Sequence, residues 1–399
     1  MNFDGPYSIY VHIPFCRHRC GYCDFNTYAG QEGLIDDYIS ALCREIDVAA
    51  ASLEHPLTVH TIFFGGGTPS LLTIDQLERA LNVLRQSFHV LPEAEISLEA
   101  NPGTLSRAYL WNLRSIGVNR LSLGVQSANP AELRLLERQH DFGDAIQAVA
   151  WARQAGFDNL NLDLIFGLPG QRLETWQSTL EHTLRLDPDH LALYALTLEH
   201  GTPFGRWAER GLLSEPDPDE AAEMYELASE RLAQAGFEQY EISNWGRRMP
   251  GGEILACRHN LQYWRNLPYL GFGAGAHGYA ADLRSANVLA PAAYIRRCRS
   301  SWDPTPAFPR TPATHSLEII DEKTEMGETM MMGLRLIQEG VGEESFRKRF
   351  GRSLDEVYGQ EIRELCTLGL LEWAADGKRR LRLTPRGRLL GNQVFYRFI

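Results

Sequence analysis

Residues Tyr7 to Tyr28 read Tyr-Ser-Ile-Tyr-Val-His-Ile-Pro-Phe-Cys-Arg-His-Arg-Cys-Gly-Tyr-Cys-Asp-Phe-Asn-Thr-Tyr, and the reading of this stretch decides the fold. Tyr7 to Ile13 is β-branched and aromatic, which predicts a strand, and Pro14 blocks its continuation as a helix. Cys16, Cys20 and Cys23 then arrive within eight residues, so three thiols are held close together. Spacings of four and three also suit the buried face of a helix, although Gly21 and the polar insert Arg17-His18-Arg19 weaken that reading. A structural zinc site needs four ligands, usually in paired Cys-x-x-Cys units. His12 and His18 are the obvious fourth donors, and no second pair exists in the chain. The third reading is an iron–sulfur cluster on three thiolates with one iron left open, a vacancy of the kind that receives a substrate or cofactor. Spacing alone leaves all three open and favours the cluster.

Cys-x-x-x-Cys-x-x-Cys with an aromatic just before the last cysteine resembles the cluster loop of the radical S-adenosylmethionine superfamily. The surrounding His-Ile-Pro-Phe-Cys and Tyr-Cys-Asp-Phe are similar to one branch of it, which holds the oxygen-independent coproporphyrinogen oxidases and a group of heme chaperones. The resemblance implies that Cys16, Cys20 and Cys23 hold a [4Fe-4S] cluster whose fourth iron is chelated by the methionine end of S-adenosylmethionine. It also implies cofactor contacts at residues of matching type and order: Tyr10, Tyr22, Gly66, Gly67, Thr68, Glu99, Gln126, Arg138 and Asp163. The oxidases would cleave the cofactor reductively and abstract hydrogen from propionate side chains. They carry a further cysteine two residues after the third, where this chain has Phe25, and a longer N-terminal extension. Both differences favour a heme chaperone, passing heme to an acceptor protein that is membrane-associated or soluble.

The composition, 44% hydrophobic and 23% charged over 399 residues, is that of a globular chain long enough for one large domain and a smaller one. No apolar run reaches membrane-spanning length, the N-terminus lacks the basic and apolar regions of a signal peptide, and a cytoplasmic location is expected. Seven cysteines, three of them clustered, fit reduced thiols and a metal site better than a disulfide framework. A formal charge of −12 argues against nucleic acid as a partner.

Downstream the pattern alternates. Strands are expected at Val59 to Phe64, Glu95 to Ala100, Arg120 to Gly124, Asn159 to Ile165 and His190 to Leu196, with helical periodicity between them. Units of this length imply parallel strands with right-handed crossovers, hence an α/β protein built on a partial (β/α)6 barrel, in agreement with the family fold. Cys16, Gly66, Glu99, Gln126 and Asp163 then fall at strand exits, the rim where barrel sites are built. Gly65-Gly66-Gly67-Thr68-Pro69 is expected to leave backbone amides free for a ligand. The family uses this stretch for the cofactor's amino group.

His259-Asn260-Leu261-Gln262-Tyr263-Trp264 is the stretch most characteristic of the heme-chaperone group, and it makes His259 the candidate heme ligand, with His277 next. The glycine alternation from Gly271 to Gly278 lacks the strand–helix context of a dinucleotide site. Trp302 to Pro312 reads as a proline-rich linker. Three segments are therefore expected: 1–245 as the barrel, 246–313 as the histidine stretch and linker, and 314–399 as a winged-helix-like α+β module. The last carries a basic cluster, Lys378, Arg379, Arg380, Arg382, Arg386 and Arg388, expected to form a lid or partner surface.

Overall fold

Tyr7–Ile13 forms strand β1. Ile9, Val11 and Ile13 are wholly buried, each worth about 1.5–3 kcal/mol of transfer free energy. The alternate residues Ser8, Tyr10 and His12 are polar and bonded: Thr61 Oγ1 donates to Ser8 Oγ at 2.6 Å, and the Tyr10 hydroxyl lies 2.9 Å from His12 Nδ1. A period of two thus gives β1 one apolar layer and one polar layer. Five more parallel strands follow, each beside its predecessor: β2 (Thr58–Gly66), β3 (His89–Ala100), β4 (Arg120–Gln126), β5 (Leu160–Phe166) and β6 (His190–Ala195). Helices link them, and two start with reciprocal capping boxes, Thr73 with Gln76 and Asp141 with Asp144. Such a cap stabilises a helix start by about 1 kcal/mol. The result is the partial (β/α)6 barrel that the alternation predicts.

The structure is a computed structural model describing residues 5–301, 306–375 and 377–399. Its two compact units depart from the three-segment division. One comprises the chain up to Arg231 with Pro268–Glu318; the other comprises Leu232–Leu267 with Ile319–Ile399. Residues 246–313 are therefore shared out: the His259 helix belongs to the second unit, whereas Tyr269–Phe272, His277–Ala280 and Leu283–Asn287 are strands of the barrel unit. Tyr269–Phe272 pairs in parallel with β1, and the next two extend the sheet antiparallel. The glycines that obscured these strands in the sequence are what close contact requires. A Cβ on Gly271 would lie 1.9 Å from the His277 carbonyl oxygen, and Gly273 sits at φ +101°. The stretch expected to be a linker is also packed where described: Thr311 is buried, and its hydroxyl donates to Glu45 at 2.8 Å. Trp302 and Pro304 lie outside the described residues.

In the second unit the helices Glu322–Gly333, Glu343–Phe350 and Leu354–Thr367 cover a three-stranded antiparallel sheet of Val341–Gly342, Arg380–Leu383 and Leu371–Trp373. Met326, Met330, Phe346, Ile362 and Leu381 form its core. This helix and strand order is winged-helix-like. Much of the basic cluster is already engaged: Arg379 pairs with Asp355 and stacks over Trp373, and Arg382 pairs with Glu372 at 3.1 Å. Among the described residues no helix is long and apolar enough to cross a membrane.

Candidate functional site

The carboxyl ends of the strands open into a cavity of about 670 Å³. Cys16, Cys20, Cys23, Tyr22, Gly66, Gly67, Thr68, Glu99, Gln126, Arg138 and Asp163 all line it. Segments far apart in sequence thus meet on one surface. Tyr10 and His259 do not line it. Tyr10 lies beneath Gly65, its hydroxyl turned to His12. His259 is buried in the second unit, with Nε2 2.9 Å from the Tyr263 hydroxyl and the two rings edge to face. His277 is exposed on its strand and is likewise absent from the cavity wall.

The thiols occupy one side. Cys16 ends a two-residue strand, Phe15–Cys16, that pairs with Tyr28–Ala29 and so closes the loop upon itself. Thr68 Oγ1 donates to Cys16 Sγ at 3.5 Å, Cys20 Sγ donates to the Glu137 carbonyl at 3.9 Å, and Cys23 Sγ lies 3.9 Å from Thr27 Oγ1. Burial pushes the Cys16 and Cys23 thiols up, and the neighbouring cysteines add to the shift in both. Among the described residues no three His, Cys, Asp or Glu side chains stand ready-made as a metal site. The donor set nevertheless fits a cluster, because three soft thiols from one loop line one cavity, and metal coordination deprotonates a thiol outright.

The glycine stretch does not leave its backbone amides free, contrary to expectation. Its amides are already used: Gly66 N donates to Glu99 Oε2 at 3.0 Å, Gly67 N to the Ile13 carbonyl at 2.8 Å and Thr68 N to the Phe15 carbonyl at 2.8 Å. What the glycines provide is proximity. A Cβ on Gly67 would lie 2.6 Å from the Phe15 carbonyl oxygen and 3.0 Å from Cys16 Sγ, so only a residue without one lets β2 support the cysteine loop.

The opposite wall is acidic, with one arginine. Glu99 is pushed up to about 7, chiefly by burial and then by repulsion from Asp163. Asp163 is also raised by burial, although Asn161 Nδ2 at 2.8 Å and Ser122 Oγ at 3.0 Å donate to its two oxygens. It stands in the middle of β5 rather than at its exit, so it reaches the cavity from inside the barrel. Gln126, the last residue of β4, holds φ at +69°, which residues with a β-carbon avoid, and its buried Oε1 has no hydrogen-bond partner among the described residues. Arg138 donates to the Gly124 carbonyl at 2.9 Å and to Asn101 Oδ1, while its buried Nε also has no partner among the described residues. Burying polar atoms without partners costs about 1–3 kcal/mol each, a cost that a ligand supplying partners in this cavity would offset.

Residues that the sequence did not single out complete the site. Asn101 joins the two sides: its Nδ2 donates to Thr68 Oγ1 at 3.3 Å, and its Oδ1 receives Arg138. Glu137 reaches the middle of the cysteine loop. Asn101 was visible only as the residue before Pro102, a position that excludes helix but names no contact.

The radical SAM superfamily profile matches residues 10–183, and the HemN C-terminal domain profile matches residues 320–390. The chain is 40% identical over 394 residues to the heme chaperone HemW of Mycobacterium tuberculosis, covering 98% of this chain and 94% of that one. It is 38% identical over 393 residues to HemW of Bacillus subtilis, covering 98% and 99%. The structure of the coproporphyrinogen III oxidase HemN of Escherichia coli, a radical SAM enzyme, superposes with a TM-score of 0.81 at 25% identity, covering 98% of this chain and 90% of that one.

Proposed function

The chain belongs to the HemW heme-chaperone family of the radical S-adenosylmethionine superfamily, and on that premise we propose that it holds a [4Fe-4S] cluster and S-adenosylmethionine, and binds heme for delivery to an acceptor protein. The observation that carries the cofactor part is the pairing, on one cavity, of three thiols with buried polar atoms that lack partners among the described residues, Gln126 Oε1 and Arg138 Nε. A bound cluster supplies an iron with an open coordination position that the amino and carboxylate groups of S-adenosylmethionine can chelate. Cys16, Cys20 and Cys23 would be its ligands. With the amides of Gly66 to Thr68 spent, and the Thr68 carbonyl accepting from Leu71 N at 3.0 Å, the stretch can serve the cofactor's amine only through carbonyl oxygens that accept from its N–H groups. Arg138 can donate to a carboxylate, Gln126 Oε1 can accept from an amine or hydroxyl, and Glu99 and Asp163 can accept from ribose hydroxyls or amine N–H groups. Phe25 stands where the oxidases have a further cysteine, and the full-length identity to heme chaperones supports the same choice.

The test is anaerobic reconstitution with iron and sulfide, followed by titration with S-adenosylmethionine and heme and by assay with coproporphyrinogen. Four irons per chain, cofactor binding that depends on the cluster, and a Soret band on heme addition are expected. A single zinc per chain with no visible absorption would remove the cluster. Protoporphyrinogen formed at catalytic turnover would replace the chaperone with the oxidase.

A further inference from the structure

The cysteine loop is held at its middle by a residue 116 positions away. Gly21 N donates to Glu137 Oε2 at 2.8 Å, and the same oxygen lies 3.2 Å from His18 Nε2. The Glu137 carbonyl accepts from Cys20 Sγ at 3.9 Å. Side chain and backbone of one residue thus hold His18, Cys20 and Gly21, the part of the loop lying between Cys16 and Cys23. From the other side, Phe204 N donates to the Gly21 carbonyl at 2.9 Å, and a Cβ on Gly21 would lie 2.8 Å from the Phe204 ring and 3.4 Å from Glu137 Cδ. Both backbone polar groups of Gly21 are therefore gripped by the barrel, and the space leaves room for glycine alone.

Glu137 adopts this position at a conformational cost. Its φ is +54°, the left-handed region that residues with a β-carbon avoid, at the turn that closes the helix Pro130–Leu135, where Glu137 N donates to the Arg134 carbonyl at 3.0 Å and Arg138 N to the Leu133 carbonyl at 2.9 Å. Such a left-handed cap usually falls to glycine, and here it falls to glutamate. Here the turn sends two consecutive side chains to two tasks: Glu137 to the cysteine loop, and Arg138 to Asn101 and the Gly124 carbonyl on the cavity wall. We propose that Glu137 is a positioning residue for the cluster, holding the loop so that the thiols of Cys20 and Cys23 face the thiol of Cys16. This inference rests on the cluster reading above. A carboxylate accepting from a loop amide acts as outer-sphere partners of metal ligands do, and losing such a partner typically weakens metal binding about 10–100-fold.

The full-length protein is compared as wild type, Glu137→Ala, Glu137→Gln and Gly21→Ala. After anaerobic reconstitution, the cluster is challenged with an iron chelator and its loss followed by visible absorbance. Glu137→Ala should lose it at least about tenfold faster than wild type. Glu137→Gln, whose amide oxygen still accepts from Gly21 N, should restore most of the lifetime, and Gly21→Ala should behave like Glu137→Ala. Unloaded Glu137→Ala should keep the thermal midpoint of wild type while the Gly21 amide loses protection from hydrogen exchange. Equal cluster lifetimes in wild type and Glu137→Ala overturn the inference, as does unchanged exchange at Gly21. If the wild type takes up no cluster, the reading beneath the inference fails, and the exchange measurement on unloaded protein still decides whether Glu137 holds the loop.

Discussion

Glu45 and Glu99 are two enclosed carboxylates of the same unit, and their surroundings treat them in opposite ways. Glu45, on the helix Ile35–Ala51, is wholly buried and receives Gly273 N at 2.9 Å, Asn287 Nδ2 at 2.8 Å, the Tyr294 hydroxyl at 2.6 Å and Thr311 Oγ1 at 2.8 Å. Burial raises its pKa and those donors pull it part of the way back. Glu99 receives one hydrogen bond among the described residues, from Gly66 N, and sits beside Asp163. A carboxylate whose lone pairs are filled by the protein is a fastener, here joining the segment 268–318 to the first helix. One left short of donors and next to a like charge keeps lone pairs that a partner from outside can fill.

The largest effect that can break this comparison comes from the open region. Gly67→Val places atoms against the Phe15 carbonyl and Cys16 Sγ, so reconstitution should give no cluster absorption, while far-ultraviolet circular dichroism keeps the wild-type helix content. Normal iron and sulfide content in this variant would show that the glycine stretch does not support the cysteine loop. Next comes the closed region. Glu45→Ala strips the acceptor from four buried donors and should lower stability by about 3 kcal/mol or more in urea unfolding. A change below about 0.5 kcal/mol, the size of an ordinary surface substitution, would deny it the role of fastener.

The smallest effect separates the two carboxylates by pH. The Glu99 carboxyl titrates near 7 in the folded chain against 4.5 for a free side chain. Ionisation is thus opposed by the fold, so stability should be level below about 4.5, fall as pH rises towards 7, and level off above it. Glu99→Gln should remove that part of the slope. The ionised form is the stronger acceptor for the N–H and O–H groups of S-adenosylmethionine, so the affinity of the cluster-loaded protein for it should rise with pH through about 7. Glu99→Gln should bind about tenfold more weakly, equivalent to ~1.4 kcal/mol. Calorimetry at pH 6 and pH 8 checks both, and a pH-independent affinity in the wild type would remove Glu99 from the cofactor's surroundings.

Much of this was legible before any coordinates. The period of two in Tyr7 to Ile13, the alternation of strands and helices, and the spacing of Cys16, Cys20 and Cys23 each depend on residues close in sequence, and local sterics and side-chain periodicity suffice to read them. The strands Tyr269–Phe272 and His277–Ala280 escaped because their pairing needs glycines, and a glycine states only that something comes close. The supposed linker escaped because Thr311 is anchored by Glu45, a contact across 266 positions. The sequence alone determined that three thiols would share one loop and that parallel strands would carry polar residues towards one rim. Only the tertiary structure decided that the Gly66 to Thr68 amides are consumed internally, that Asn101 bridges Thr68 and Arg138, that His259 turns inward to Tyr263, and that Glu137 holds Gly21. The reason is physical: which hydrogen bonds are filled and which left open depends on what the folded chain brings within about 3 Å, and a local pattern carries no record of that.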